Sequence, residues 1–326
     1  MKLDIDLPNS MHVVAMGIQP WEFGLGGADI ARAVRVADDL GYWKVMVGEH
    51  FIMPTSHLAL SGDHHMHAVT ALSFVATSAK RMRLSSSVTI LPLLHPIVQA
   101  KMWATLDWLS GGRAVAMIGV GWLQDEYQVL GVPFHERGRL CDEYVAAMIE
   151  LWSSVEPRFE GKYVSFSNLT MAPKPLQEPH VPLWFGGDAD NVLKRVARWG
   201  SGWSPFMTAP EKIPERLDFI RSQRDYHGRP LEVSFPLMAL NVGEAHAVIS
   251  DPRARGTWNA QQIIDQCHWL EGLGVTETIV SLPPLQDFEA YLDRLRWVAE
   301  EVMCKWPAAH PDNAAADVFR TPTAAE

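Results

Sequence analysis

The sequence predicts an α/β fold and, within that class, a (β/α)8 TIM barrel with an insertion after the fourth βα unit. Three observations lead there. Short apolar runs alternate with longer segments of helical periodicity about eight times along the chain. With 326 residues, 48% of them hydrophobic, the chain is long enough to bury the core of one closed barrel. The run Arg113 to Ile118 ends in Gly119-Val120-Gly121-Trp122. Glycines and one large aromatic at the carboxyl end of a buried strand leave backbone open to a flat, bulky ligand, or else make a tight turn around a core tryptophan. An open doubly wound sheet would show the same alternation, because periodicity does not reveal closure.

Residues 12–18 (HVVAMGI) read as the first strand. Asp29 is placed to cap the next helix, where Ile30, Ala33, Val34, Ala37 and Leu40 share a face and Gly41 ends it. Residues 42–47 form a second strand, closed by Gly48-Glu49-His50-Phe51; Val69, Leu72, Val75, Ala76 and Ala79 then mark a second helix. The third strand covers 84–91, and a helix over 96–109 starts with Pro96 in its first turn. The fourth strand is 113–119, followed by a helix around 139–153. The alternation breaks over 155–182, a proline-rich stretch too long for a simple connection, which reads as an inserted loop over one mouth of the domain. It resumes at 183–185 with a helix to Trp199, then a strand near Gly202-Trp203 and a helix near 211–226. A strand at 233–242, a helix at 261–272, a strand at 278–282 and a helix at 288–306 complete it. Residues 1–306 thus make a single barrel domain and 307–326 a flexible tail.

A net charge of −10 argues against a sequence-independent nucleic-acid binder. Cys141, Cys267 and Cys304 are far apart and odd in number, as reduced thiols of a cytoplasmic protein would be. No run approaches a membrane span, and the first residues lack the apolar core of a signal peptide.

If the barrel is right, strand ends become a list of candidate site residues. Glu49-His50 closes the second strand, where a histidine serves as general base or contacts a bound ring, or is simply a half-exposed loop residue. Ser85-Ser86-Ser87-Val88 puts hydroxyls in an apolar strand; a bulge toward a ligand explains them, as does a serine face packed under a helix. Gly186-Gly187-Asp188 runs into a helix whose free amides suit a phosphate, or it is a plain capped helix in which Asp188 would oppose an anion. His64, His65 and His67 with Asp63 form the densest histidine cluster; it lacks the later ligands a metal site needs, so no metal is expected, and His65 and His67 fit better near a substrate. Arg137 and Arg139 could hold a phosphate or ribityl group, or pair with Glu136 or Asp142 at the surface.

The ordered motifs LDWLSGGR, GVGW, DEY, LGVPF, RG and a second DEY, followed by APKPLQEPHVPLWFGG, resemble the bacterial luciferase-like superfamily. More narrowly, they resemble its luciferase-like F420-dependent oxidoreductase branch. The resemblance covers roughly residues 13–205 and implies a (β/α)8 barrel with an insertion after the fourth unit. It implies coenzyme F420, or alternatively FMN, at the carboxyl mouth. His50 would act in catalysis or touch the ring, with Glu49 orienting it. A non-proline cis peptide at Ser87-Val88 would support the cofactor. Gly119, Gly121 and Trp122 would line its ring side, and Gly186, Gly187 and Asp188 its phosphate side. Asp188 departs from the small polar residue of many relatives.

The function so implied is hydride transfer between F420 and a small, apolar or ring-bearing organic substrate. The alternative is a two-component monooxygenase that uses reduced FMN and activates oxygen; a third reading is a non-catalytic flavin-binding barrel. A flavin or F420 reductase would be the functional partner. A homodimer through helices flanking the early strands is expected, with Met102, Trp103 and Trp108 at its face. The insertion and the loop 54–67 would cover the substrate.

Overall fold

The computed structural model describes residues 1–13, 18–236, 259–280 and 282–307. In chain order the strands are β1 (Lys2–Asp6), β2 (Lys44–Val47), β3 (Arg83–Ser86), β4 (Thr89–Ile90), β5 (Ala114–Gly119), β6 (Phe159–Glu160), β7 (Ser165–Phe166), β8 (Leu183–Gly186), β9 (Gly202–Ser204), β10 (Glu232–Val233) and β11 (Glu277–Ile279). The helices are α1 (Gly27–Leu40), α2 (Leu58–Ser61), α3 (Ala68–Val75), α4 (Pro96–Ser110), α5 (Gln124–Val129), α6 (Arg137–Ser153), α7 (Asp190–Trp199), α8 (Ile213–Arg221), α9 (Ala260–Gly272) and α10 (Phe288–Glu301). The parallel strands run in the order β10-β9-β8-β5-β3-β2-β1-β11, with β4 continuing β3 against β5. A bridge from Ser234 to Glu277 joins the two ends of this order, and Phe235 N–H donates to the Glu277 carbonyl at 3.0 Å. The result is the eight-position (β/α)8 barrel that the sequence predicts.

Local chemistry explains the helix ends. In α1 the Gly26 N–H donates to the Asp29 carboxylate at 3.0 Å, so Asp29 caps from inside the first turn. Gly41 closes the helix at φ 91°, a conformation open to glycine. In α4 the His95 Nδ1 accepts from Ile97 N–H at 3.3 Å, ahead of Pro96. Asp107, near the other end of α4, is fully buried. Its carboxylate accepts from the amides of Ala114, Leu176 and Gln177 and from the Gln177 side chain, at 2.6–3.3 Å.

Those bonds place the inserted segment. Its hydrogen bonds among the described residues go to α4, α6 and the start of β5 on the outside of the ring, and none goes to a residue at the carboxyl mouth, which corrects the expected cover. The β6-β7 hairpin is antiparallel and docks on α6, where Glu143 accepts from the amides of Lys162, Tyr163 and Val164. The chain then returns beside Asp107 to the amino-terminal end of β5. The loop 54–67 does come to the mouth.

The first strand also differs from expectation. It is Lys2–Asp6 rather than 12–18; residues 12, 13 and 18 are not in a strand, and 14–17 lie outside the described residues. Lys-Leu-Asp-Ile-Asp has the period-two pattern of a half-buried strand, but its inward positions are charged and read as a solvated terminus. Of the expected strand 233–242, Glu232–Val233 is observed and 237–242 lie outside the described residues, as do 308–326 of the expected tail.

Alternation along the strands layers the interior. The floor is charged: Lys44 pairs with Glu277 and lies 3.3 Å from Asp4, with its ammonium 4.1 Å from the centre of the Trp184 ring. Burial pushes the Asp4 carboxyl well above the usual range despite Lys44. Burial alone would lower Lys44, but the Asp4 and Glu277 carboxylates outweigh it and raise it. Above this, Met46, Val115, Met117 and Trp184 form an apolar plug, packed with Val88 and Ile279. A separate apolar layer fills the space between strands and helices; it includes Val45, Leu84, Ile118 and Leu183.

Candidate active site

The mouth lies above the plug, at the carboxyl ends of the strands, as in barrels generally. His50 follows β2 and is the best-organised polar group there. Its Nδ1 lies 3.1 Å from Glu126 Oε2. Glu126 is fully buried on the inner side of α5 and also accepts the backbone N–H groups of Phe51 and Ile52. A carboxylate on Nδ1 makes that nitrogen the donor, so that in the neutral ring Nε2 carries the lone pair. Among the described residues no donor meets Nε2. The imidazole edge meets His65 at 5.1 Å and Trp122 at 5.8 Å between ring centres, and His57 packs on Trp122 at 5.3 Å.

The expected orienting role of Glu49 is therefore filled by Glu126. The Glu49 carboxylate turns away from the ring, accepting from Ala68 N–H at 3.2 Å and Ile90 N–H at 3.4 Å. Burial raises its pKa to about 7, against those two amide bonds. Glu49 thus fastens β2 to the start of α3 and to β4. Glu126 stands in the first DEY motif, yet an acid in a short polar helix looks like solvated surface until tertiary structure turns it inward.

The Ser87-Val88 peptide is cis, as the resemblance implies. The hydroxyls below it are satisfied: Ser85 Oγ donates to the Ser86 carbonyl at 2.9 Å and Ser86 Oγ to the Met117 carbonyl at 2.8 Å. Val88 projects across the mouth between two glycines. A methyl on Gly119 would lie 2.4 Å from Val88 Cγ2, and one on Gly186 would lie 2.6 Å from Val88 Cγ1. Both positions must lack a side chain for Val88 to stand there. Gly121, at φ 65°, then turns the chain so that Trp122 reaches the rim with half its surface exposed. Val88 with its glycines makes an apolar ledge of the kind a flat ring could rest on.

On the β8 side, Gly187 N–H donates to the Ser204 carbonyl, and Ala189 rather than Asp188 is the N-cap of α7. Asp188 is used elsewhere: it accepts the amides of Phe206, Met207 and Thr208 and the Thr208 hydroxyl, at 2.6–3.1 Å. Its charge is therefore taken up by the loop after β9, which reduces its opposition to an anion. Arg216 donates to the Asp188 carbonyl at 2.7 Å and to Asp190 Oδ1 at 2.8 Å, at the amino end of α7.

His65 is beside His50, with Nε2 bonded to the Ser61 carbonyl at 3.0 Å. His67 caps α3, where its Nδ1 accepts from Thr70 N–H, and its Nε2 lies 3.8 Å from Glu49. Arg137 packs on the Phe134 ring at 3.9 Å. Trp103 is fully buried, so of the expected dimer face only Trp108 is exposed, with Met102 half-buried. Sequence reasoning missed Asp6, which ends β1 on the inward side because the first strand was misplaced. Among the described residues no His, Cys, Asp and Glu group is arranged to hold a metal ion, and no helix is long and apolar enough to cross a membrane.

Fold and mouth together define a barrel enzyme whose chemistry lies at the strands' carboxyl ends. The sequence pattern of luciferase-like monooxygenases matches residues 12–301, and the chain belongs to that family of oxidoreductases and monooxygenases. An uncharacterised protein of Mycobacterium tuberculosis is 31% identical over 290 residues, 82% of this chain and 93% of that protein. The FMNH2-dependent dimethylsulfone monooxygenase of Pseudomonas putida is 26% identical over 198 residues, 58% of this chain and 53% of its own. Among solved structures, monooxygenase RslO1 from Streptomyces bottropensis superposes with a TM-score of 0.73 at 21% identity, over 94% of this chain and 100% of that one. An F420-dependent secondary alcohol dehydrogenase superposes with a TM-score of 0.68 at 16% identity, over 95% and 99%. At these identities the structures show the shared fold. Relatives and neighbours thus include both F420-dependent and flavin-dependent enzymes.

Proposed function

We propose that the chain is an F420-dependent oxidoreductase that moves a hydride to or from a small organic substrate. The observation that carries this reading is the His50–Glu126 pair: a histidine with Nδ1 held by a buried carboxylate and Nε2 open at the mouth. The cofactor supplies the hydride chemistry when bound. His50 Nε2 then takes or returns the substrate's proton, and Glu126 holds the imidazole in the tautomer this requires. Val88, Gly119, Gly121 and Trp122 would flank the ring system, with Gly186, Gly187 and the first turn of α7 toward the phosphate. His65 would border the substrate. The FMN-dependent monooxygenase reading is favoured by the identity with the dimethylsulfone enzyme.

Titrating the purified protein with F420 and FMN side by side separates the two. Tight F420 binding with weak FMN binding supports the first reading; the reverse makes the monooxygenase reading the leading one. In the turnover assay that follows, His50→Ala lowers kcat about 10²–10⁴-fold with little change in cofactor affinity. Glu126→Gln falls in the same direction by less. An unchanged kcat in His50→Ala removes the assigned role.

The supporting frame is proposed with it: one barrel domain over residues 1–306, a separate F420 or flavin reductase, and a homodimer. The outer faces of α3 and α4, where Phe74, Val98, Trp108 and Leu109 are exposed, would form the dimer contact. Cys141, Cys267 and Cys304 are unpaired thiols, which suits a cytoplasmic location.

A further inference from the structure

Most of the acidic side chains around the mouth and along the inner face of the barrel are taken up. Glu49 and Asp188 hold backbone amides, Glu126 holds His50, and Asp4 and Glu277 meet Lys44. Glu22, in the 3-10 turn Pro20–Gly24, accepts the amides of Asn9 at 3.1 Å and Gln19 at 3.1 Å. Asp6 is the exception. It ends β1 in register with Met46, a member of the apolar plug, so its side chain shares the inward side of the barrel. The side chain is exposed to solvent, yet among the described residues its carboxylate accepts no hydrogen bond and meets no cation. It stands amid protein closely enough that burial, helped by the Glu22 carboxylate, raises its pKa to about 6. Asp6 thus stands at the carboxyl end of β1, on the inward side and open to solvent, which puts it at the mouth.

Its place in the ring matters as well. In the order β1-β2-β3-β5-β8, β1 stands four positions from β8, which is directly across an eight-position ring. The ledge of Val88, Gly119 and Gly186 therefore occupies the far wall from Asp6. One wall suits a flat apolar ring system; the other offers an unshared carboxylate, with a second one nearby, in a chain of net charge −10. Two acids without a cation are an unfavourable arrangement that a positively charged group would relieve.

We propose that Asp6 is a specificity-determining residue of the mouth, binding a basic nitrogen carried by the substrate. The inference rests on reading the mouth as the active site and narrows the substrate class to an apolar or ring-bearing molecule with an amine. Anionic substrates are disfavoured at this wall. The ammonium donates to an Asp6 carboxylate oxygen, and this contact sets which end of the molecule faces β1.

The test compares three probes of one shape: benzylammonium, benzyl alcohol and benzoate. Each is titrated into the full chain, with and without added F420 or FMN, and binding is followed by ligand-observed NMR. Benzylammonium is expected to bind at least about tenfold more tightly than benzoate, with benzyl alcohol between them, the margin of a charge-assisted hydrogen bond. In Asp6→Asn, which preserves shape, benzylammonium falls about tenfold to the level of benzyl alcohol, while benzyl alcohol and cofactor affinities stay fixed. Asp6→Glu restores the preference, which separates recognition from a folding defect. Equal affinity for the three probes, or none for the cation, overturns the proposal. So does an Asp6→Asn variant that weakens F420 or FMN but leaves benzylammonium unchanged, since Asp6 would then serve the cofactor's ring N–H. Failure of both F420 and FMN to bind wild-type protein defeats the cofactor reading, while the probe preferences still judge Asp6.

Discussion

The two ends of the barrel interior are both polar, but they use polarity in opposite ways. At the floor, Lys44 is 1% exposed and in contact with two carboxylates and the Trp184 ring. At the mouth, among the described residues, His50 is held on one nitrogen and open on the other, and Asp6 is exposed without a partner. Buried charges in contact make a fixed structural unit, whereas unpaired polar groups at the mouth of a barrel are free to meet a ligand. The apolar plug of Met46, Val115, Met117 and Trp184 separates the two regions. Substitutions at the floor should therefore change stability without changing recognition, and those at the mouth should do the reverse.

The largest expected effect on stability comes from breaking the floor. Lys44→Met removes the ammonium shared by Asp4 and Glu277; Lys2 stays 3.8 Å from Glu277, but Asp4 is left without a cation among the described residues, a loss of about 3–5 kcal/mol. Urea denaturation reads it as a lower midpoint at unchanged slope. A variant that keeps its stability but loses cofactor binding would erase the distinction between the two ends. The next effect is a pH dependence set by Glu49, whose carboxyl rises from 4.5 to about 7 on burial. Between those two values the folded state keeps a proton that the unfolded chain has released. Stability contributed by the protonated form is thus complete below pH 4.5 and is lost as pH rises through about 7, by about 3 kcal/mol in all. His67 acts in the opposite direction, since burial lowers its pKa. Comparing wild type with Glu49→Gln at each pH isolates Glu49, and the variant should lack the decline. Parallel curves for the two proteins would count against it.

How much of this was legible in the sequence follows the same division. Elements whose pattern is local were readable: α1 from its apolar face and Gly41, α4 from Pro96 and its terminal glycines, β5 from an unbroken apolar run. The strand β1 was not, because its inward residues are Lys2, Asp4 and Asp6, and charges that meet their partners only across the barrel look like a solvated tail. His50 was visible as a polar residue at a strand end. Its partner was not, since Glu126 comes from 76 positions further on and Glu49 stood next to it in the chain. Asp188 looked like a helix cap because sequence proximity favours α7, while the amides that claim it belong to the loop after β9. Contacts set by closure of the ring leave no periodic trace. That is why the barrel could be read before its site could.

The smallest expected effect is also the sharpest test of how the mouth is shaped. The ledge depends on Val88 lying against Gly119, where an added methyl would come within 2.4 Å of Val88 Cγ2. Gly119→Ala should therefore destabilise the protein by about 1–3 kcal/mol through overpacking. Val88→Ala alone removes apolar contact and also destabilises. Combined, the smaller side chain makes room for the new methyl, so the double variant should be more stable than the sum of the two losses predicts, by about 1 kcal/mol or more. Additive losses would mean that Gly119 is required for its backbone and not for Val88. Coupling in stability together with a changed affinity for the cofactor would tie the ledge to ring binding. Coupling with unchanged affinity would leave Val88 as packing above the plug, and the ring would have to rest on Trp122 and the turn at Gly121.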